Sequence, residues 1–327
     1  MTAPPVRGLA VRLPGLCVTR APKVAAKLDA CPVIDARVIP MRWSWFAPTP
    51  GKFQPNPDLE REVSHWTAQG RTWAQLGFYG DQDFAPVWIL NEPGVKIVQN
   101  KDGEPIPAVW PVGFLEKYLA PFLAQFLPWL ASRGIQACNL PAGHIGHLAA
   151  QPSGRGKKSF VAAGWTATAW ADYVGRLHTA CKGKLPLYLL NSGELVGHEY
   201  SPEAATICAL LSRQEGVGVI RTNLQADPAD PERNAALMAQ FWAEYPLVKS
   251  WWGAGDDWPL YDPDGHGGAN DNRPLAWTEQ ALKNAFGLPG HPQATAVIWC
   301  QADDALATEP AQAFAVARKL CKMGPKS

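Results

Sequence analysis

Short apolar runs rich in β-branched residues recur along the chain. Each is followed by a polar or glycine- and proline-bearing stretch, and then by a segment whose apolar positions fall three and four residues apart. The runs predict strands over 8–13, 33–39, 71–79, 135–140, 185–190, 217–223, 247–252 and 294–300. Between them the helical period appears over 21–30, from Asn56 to Gly70, and over 112–132, 166–181, 202–214, 230–245, 274–286 and 309–322. The Asn56 segment has a proline early, acids in its first turn and a glycine stop. The 112–132 segment is apolar nearly all round, and Pro121 and Pro128 predict a kink or a split in it. Pro40 marks the end of the second strand, and the 80–94 stretch reads as a long loop running on to a polar turn at Gln99 to Glu104.

Eight alternations of strand and helix count out an α/β fold, a closed parallel (β/α)8 TIM barrel with extended loops at the strand carboxyl ends, filling residues 1–327 as a single domain. In such a barrel both faces of the sheet are covered, so short and apolar strands are expected. An open doubly wound sheet would need a glycine-rich phosphate turn, and neither GxGxxG nor GxxxxGK[ST] occurs.

Composition narrows the partners. Thirty Lys and Arg balance 29 Asp and Glu, leaving a formal charge of +1 and no field to hold nucleic acid. No apolar run is long enough to span a bilayer. The seven cysteines are scattered without a CxxC pair, and the amino-terminal apolar stretch is broken by Arg12, Pro14 and Gly15. Both features favour a reducing, cytoplasmic setting. The oligomeric state is not readable.

Barrels place their chemistry at the carboxyl ends of the strands. That rule gathers Arg42, Trp43 and Trp45 after the second strand, Asp81 and Trp88 after the third, and His144 and His147 after the fourth. The fifth supplies Asn191 and Glu194, the seventh Trp252, Asp256 and Asp257, and the eighth Gln301 and Asp303. Fifteen tryptophans are many for this length, and Trp43, Trp45 and Phe46 fall within one turn-like stretch beside Arg42. Large aromatics on a loop need an apolar cover, either the body of the protein or a ligand. Aromatic faces beside a charged group suit a sugar ring.

The stretch RWSWFAPTPGKF after the second strand, with Phe46, Pro48, Pro50, Gly51 and Phe53, resembles the clan of barrel glycoside hydrolases that includes β-galactosidases and cellulases. So does APVWIL after the third strand, with Pro86, Trp88 and Ile89. The resemblance covers mainly residues 33–150. It implies hydrolysis of an oligo- or polysaccharide by a carboxylate pair in an aromatic-lined cleft, with no cofactor. It also implies a glutamate after the fourth strand as general acid and another after the seventh as nucleophile. Here the fourth strand runs into NLPAGHIGHLAAQ, which holds no carboxylate, and the seventh into GAGDDW, which holds aspartates.

Two readings follow from that departure. In one, the roles have moved: Glu194 is the acid, its neighbours Leu190, Gly193 and Leu195 raising its pKa by desolvation, and Asp257, with Asp256 beside it, is base or nucleophile. In the other, the barrel binds glycan without cutting it, Glu194 caps the helix that follows and Asp256 holds a loop. A metal-dependent hydrolase is a third class, since His144, His147, His198 and Glu199 lie on neighbouring loops. No HxH or HExxH spacing supports it, and no metal site is assigned.

Overall fold

The computed structural model describes residues 8–30, 34–78, 83–100, 103–141, 156–191, 202–214, 216–221, 239, 251–254 and 296–299. In chain order its strands are β1 (Gly8–Arg12), β2 (Ala36–Arg42), β3 (Thr72–Gly77), β4 (Ile97–Gln99), β5 (Pro105–Pro107), β6 (Cys138–Pro141), β7 (Leu187–Asn191), β8 (Val217–Arg221), β9 (Trp251–Ala254) and β10 (Ala296–Trp299). Eight of them close a barrel in the order β1-β10-β9-β8-β7-β6-β3-β2, every pair parallel. This is the (β/α)8 barrel that the alternation predicts. Strands β4 and β5 form a separate antiparallel hairpin.

The described helices are α1 (Cys17–Arg20), α2 (Pro22–Asp29), α3 (Pro57–Gln69), α4 (Val87–Leu90), α5 (Ala120–Ser132), α6 (Gly156–Ala162), α7 (Ala167–Cys181) and α8 (Pro202–Leu211). The helical segments expected over 230–245, 274–286 and 309–322 lie outside the described residues. Helix α3 starts as its sequence dictates: the Asn56 side chain accepts a hydrogen bond from the Asp58 amide, Pro57 follows, and Gly70 ends the helix with φ 140°. Glu62, fully buried on α3, accepts hydrogen bonds from Trp66 Nε1 at 2.7 Å, the Val18 amide at 2.8 Å and Cys17 Sγ at 3.1 Å. One side chain thereby ties α1 to α3.

The structure corrects several boundaries. Pro40 does not end the second strand but lies inside β2. The amide of Leu13 donates to the carbonyl of Val38, and that of Arg37 to the carbonyl of Arg71, so even positions of β2 turn their backbone groups toward β1 and odd ones toward β3. Position 40 therefore faces β1 beyond Arg12, where that strand has stopped, and the missing N–H breaks no established rung. Pro121 follows a π-helical turn, Leu115–Leu119, that widens the spiral ahead of the ring. Pro128 continues within α5 because it and Ala124, whose carbonyl loses its donor, lie on the exposed face where water serves. The long loop after β3 holds α4 and the β4–β5 hairpin, and α6 precedes α7.

The core follows strand alternation. Val11, Ile39, Met41, Ala74, Leu76, Cys138, Leu140 and Leu187 join the cluster between sheet and helices. The opposite parity, with Ala10, Val38, Trp73 and Tyr188, turns inward and fills the barrel. Toward the carboxyl ends the same inward parity reaches Arg12, Arg42, Gln75, Gly77 and Asn139, where the filling changes from apolar to polar.

Candidate functional site at the barrel mouth

A cavity of about 300 Å³ opens at the carboxyl ends of β1, β2, β3 and β6. Arg12, Leu13, Arg20, Met41, Arg42, Trp45, Gln75, Gly77, Phe84 and Asn139 are among its walls. Its volume matches the lower end of small-molecule sites.

Arg42 is the best-fixed of these. As the last residue of β2 its guanidinium donates to Asp83 Oδ2 at 2.8 Å. The same group lies 5.5 Å from the centre of the Trp45 ring and 5.4 Å from that of Phe84, so one cation is held between two aromatic faces. The Ser44 amide donates to the Phe84 carbonyl, and the Ser44 hydroxyl to the Asp83 carbonyl, pinning 83–84 to the turn after β2. The pair is partly exposed and adds little to stability. Its effect is to orient the rings and the fork.

Gly77 makes room for the Phe84 ring, and Gly15 lies within contact range of Trp45. A Cβ on Gly77 would stand 2.7 Å from Phe84 Cδ2, and one on Gly15 would stand 3.4 Å from Trp45 Cη2. Leu16 takes a left-handed φ of 57° and is fully buried, which anchors the turn from β1 into α1 and returns Arg20 to the mouth.

Gln75 and Asn139 are paired in register on β3 and β6, and both are buried. Asn139 Oδ1 has no hydrogen-bond partner among the described residues. A buried acceptor left open at a cavity wall is the signature of a place for a donor from a ligand or water.

The structure separates the aromatics that the sequence groups together. Arg42 and Trp45 line the mouth. Trp43 is buried beside Trp88, Phe114 and Phe122, at ring-centre distances of 6.2, 6.4 and 5.6 Å, while Trp88 Nε1 donates to the Ala47 carbonyl at 2.8 Å. These two border a lateral groove of about 240 Å³ with Phe53, Glu92, Lys117 and Tyr118, and not the mouth. Trp43 and Trp88 are there because Trp43, Phe114 and Phe122 cover one another's apolar faces under the loop.

Trp252 also moves. The seventh barrel strand runs over Trp251–Ala254, so Trp252, paired with Ile220 and Ala296, stands before the strand's carboxyl end rather than at it. Asn191 is the last residue of β7, in register with Arg221. Asp81, His144, His147, Glu194, Asp256, Asp257, Gln301 and Asp303 lie outside the described residues, each following the end of β3, β6, β7, β9 or β10 in the sequence. Among the described residues no group of His, Cys, Asp and Glu is arranged to hold a metal, and no helix is long and apolar enough to cross a membrane.

Arg12, Arg20, Gln75, Phe84 and Asn139 escaped the sequence reading. Gln75 and Asn139 carried a signal there, since a polar residue inside an otherwise apolar buried strand is uncommon. The two arginines line one cavity only because the turn at Leu16 folds α1 back.

The sequence matches no protein-family model and has no significant match among curated proteins. Solved structures share its fold. The catalytic domain of a β-amylase from Paenibacillus polymyxa aligns with a TM-score of 0.60 at 10% identity, over 92% of this chain and 93% of that one. The catalytic core of a xylanase A aligns with a TM-score of 0.51 at 15% identity, over 91% and 87%. A thermostable mutant of a xylanase from Cellvibrio japonicus gives 0.51 at 13% identity, over 91% and 86%. At such identities the likeness is one of fold.

Proposed function

We propose that the chain is a glycoside hydrolase-like protein acting on an oligo- or polysaccharide at the barrel mouth. The observation that carries this reading is the composition of the cavity wall: the Trp45 and Phe84 rings beside the fixed Arg42, with the buried amides of Gln75 and Asn139 below. Ring faces take the apolar side of a sugar, and amides and a guanidinium take its hydroxyls. The fold shared with xylanases and a β-amylase supports the same class.

In this reading Glu194, following β7, is the general acid, and Asp257, following β9 with Asp256 beside it, is base or nucleophile. One strand, β8, separates β7 from β9 in the barrel order. The absence of any carboxylate from Asn139 to Gln151 favours a second reading, a carbohydrate-binding barrel without turnover.

Purified protein is to be screened for both binding and turnover against a panel of polysaccharides and aryl glycosides. Glu194→Gln is expected to cut turnover by about 10²-fold or more, most on substrates with poor leaving groups, while binding survives. Binding without hydrolysis in the unmutated protein selects the second reading. Unchanged turnover in the variant removes Glu194 from its role.

A further inference from the structure

We propose, resting on the carbohydrate reading above, that the mouth cavity takes an acidic sugar whose carboxylate is held by Arg12 and Arg20. Three arginines, Arg12, Arg20 and Arg42, border this one cavity, and no aspartate or glutamate is among the described residues that line it. In a chain whose charges balance to +1, that is a local segregation of positive charge. Arg42 is already engaged, its guanidinium paired with Asp83 and enclosed by Trp45 and Phe84. Arg12 and Arg20 have no ion-pair partner among the described residues. Arginine forks match the two in-plane oxygens of a carboxylate, and such charge-assisted bonds are about twice as strong as neutral ones.

An anion alone does not complete the site. Asn139 Oδ1, buried and open, needs a donor, and an ionised carboxylate has none to give. An occupant with hydroxyl donors as well as a negative group satisfies both the amide and the arginines. A uronic acid combines the two on one ring, and a cavity of about 300 Å³ is of single-ring size. An arginine fork also takes a phosphate or sulfate ester, so the test sets each uronate against a sulfate.

The test compares matched monosaccharides by titration at low salt: glucuronate, galacturonate and mannuronate, each against its neutral parent hexose and the 6-O-sulfate of that hexose. At least one uronate is expected to bind about tenfold or more tighter than its parent. Arg12→Gln and Arg20→Gln should each erode that preference, with an unchanged urea unfolding midpoint as the check on folding. If every uronate binds no better than its parent hexose, the acidic-sugar assignment is overturned and the carbohydrate reading stands. Preference for the sulfate ester overturns the choice of carboxylate. If no sugar of either kind binds, the carbohydrate reading fails and this assignment with it.

Discussion

The ring of Phe84 occupies the space that a side chain on Gly77 would fill, with Cδ2 only 2.7 Å from where a Cβ would stand. Position 77 pairs in register with Arg42, so the vacancy lies beside the cation that Phe84 covers. Local sequence, strand pairing and ring placement thus meet at one residue.

Gly77→Ala is expected to destabilise the fold by about 1–3 kcal/mol through overpacking. Phe84→Ala in the same chain removes the obstacle, and the double variant should lose less than the sum of the two single losses. Urea unfolding of all four proteins measures the cycle. Strict additivity would show that Phe84 does not stand over Gly77.

Glu62→Ala leaves the indole N–H of Trp66 and the amide of Val18 without their acceptor. The expected loss is about 3 kcal/mol, most of it the cost of buried donors left unpaired. Glu62→Gln keeps one acceptor oxygen and should lose less. Equal midpoints for the Ala variant and the parent in urea would disprove the clamp between α1 and α3.

His178 on α7 is buried at the amino-terminal side of the barrel, in the wall of a cavity of about 510 Å³ that also includes Lys182 and Lys184. Burial first, and the charge of Lys182 second, hold its pKa below the ordinary value of 6.5. Just below pH 6.5 the unfolded chain takes up a proton there that the folded chain refuses. The associated stability is thus full above that value and declines as pH falls through it, until the lower folded pKa is reached. Unfolding midpoints compared at pH 7.5 and 5.5 should fall less in His178→Gln than in the parent. An identical fall in both proteins would place the pH dependence elsewhere.

The barrel was legible because eight apolar runs in alternation with helical periods leave few other ways to cover both faces of a sheet. Strand ends were less legible, because a parallel strand runs as far as a neighbour on either side pairs with it. Pro40 reads locally as a terminator, yet β2 continues through it on its pairing with β3, β1 having already ended. Likewise β9 extends to Ala254 beside β8 and β10, although the apolar run stops at Trp252. At the mouth, Arg42 and Trp45 were readable from a strand followed by an aromatic turn. Trp43, in the same turn, went to the lateral packing because the chain enters a short 3-10 helix, Trp43–Trp45, directly after Arg42 and points that side chain elsewhere. Arg12 and Arg20 were invisible, as their place on one cavity wall depends on a left-handed residue that no local pattern demands.

Pro40 also sets the chemistry of the wall it stands in. After the Leu13 amide bonds the Val38 carbonyl, the next rung between the two strands would run from the nitrogen of position 40 to the carbonyl of Leu13. Proline cannot make it. The seam between β1 and β2 therefore stays unzipped at the mouth by covalent structure rather than by side-chain packing. The Leu13 carbonyl left without that rung belongs to the main chain, so substitution at position 13 preserves an acceptor that replacement of Pro40 by an N–H-bearing residue would claim.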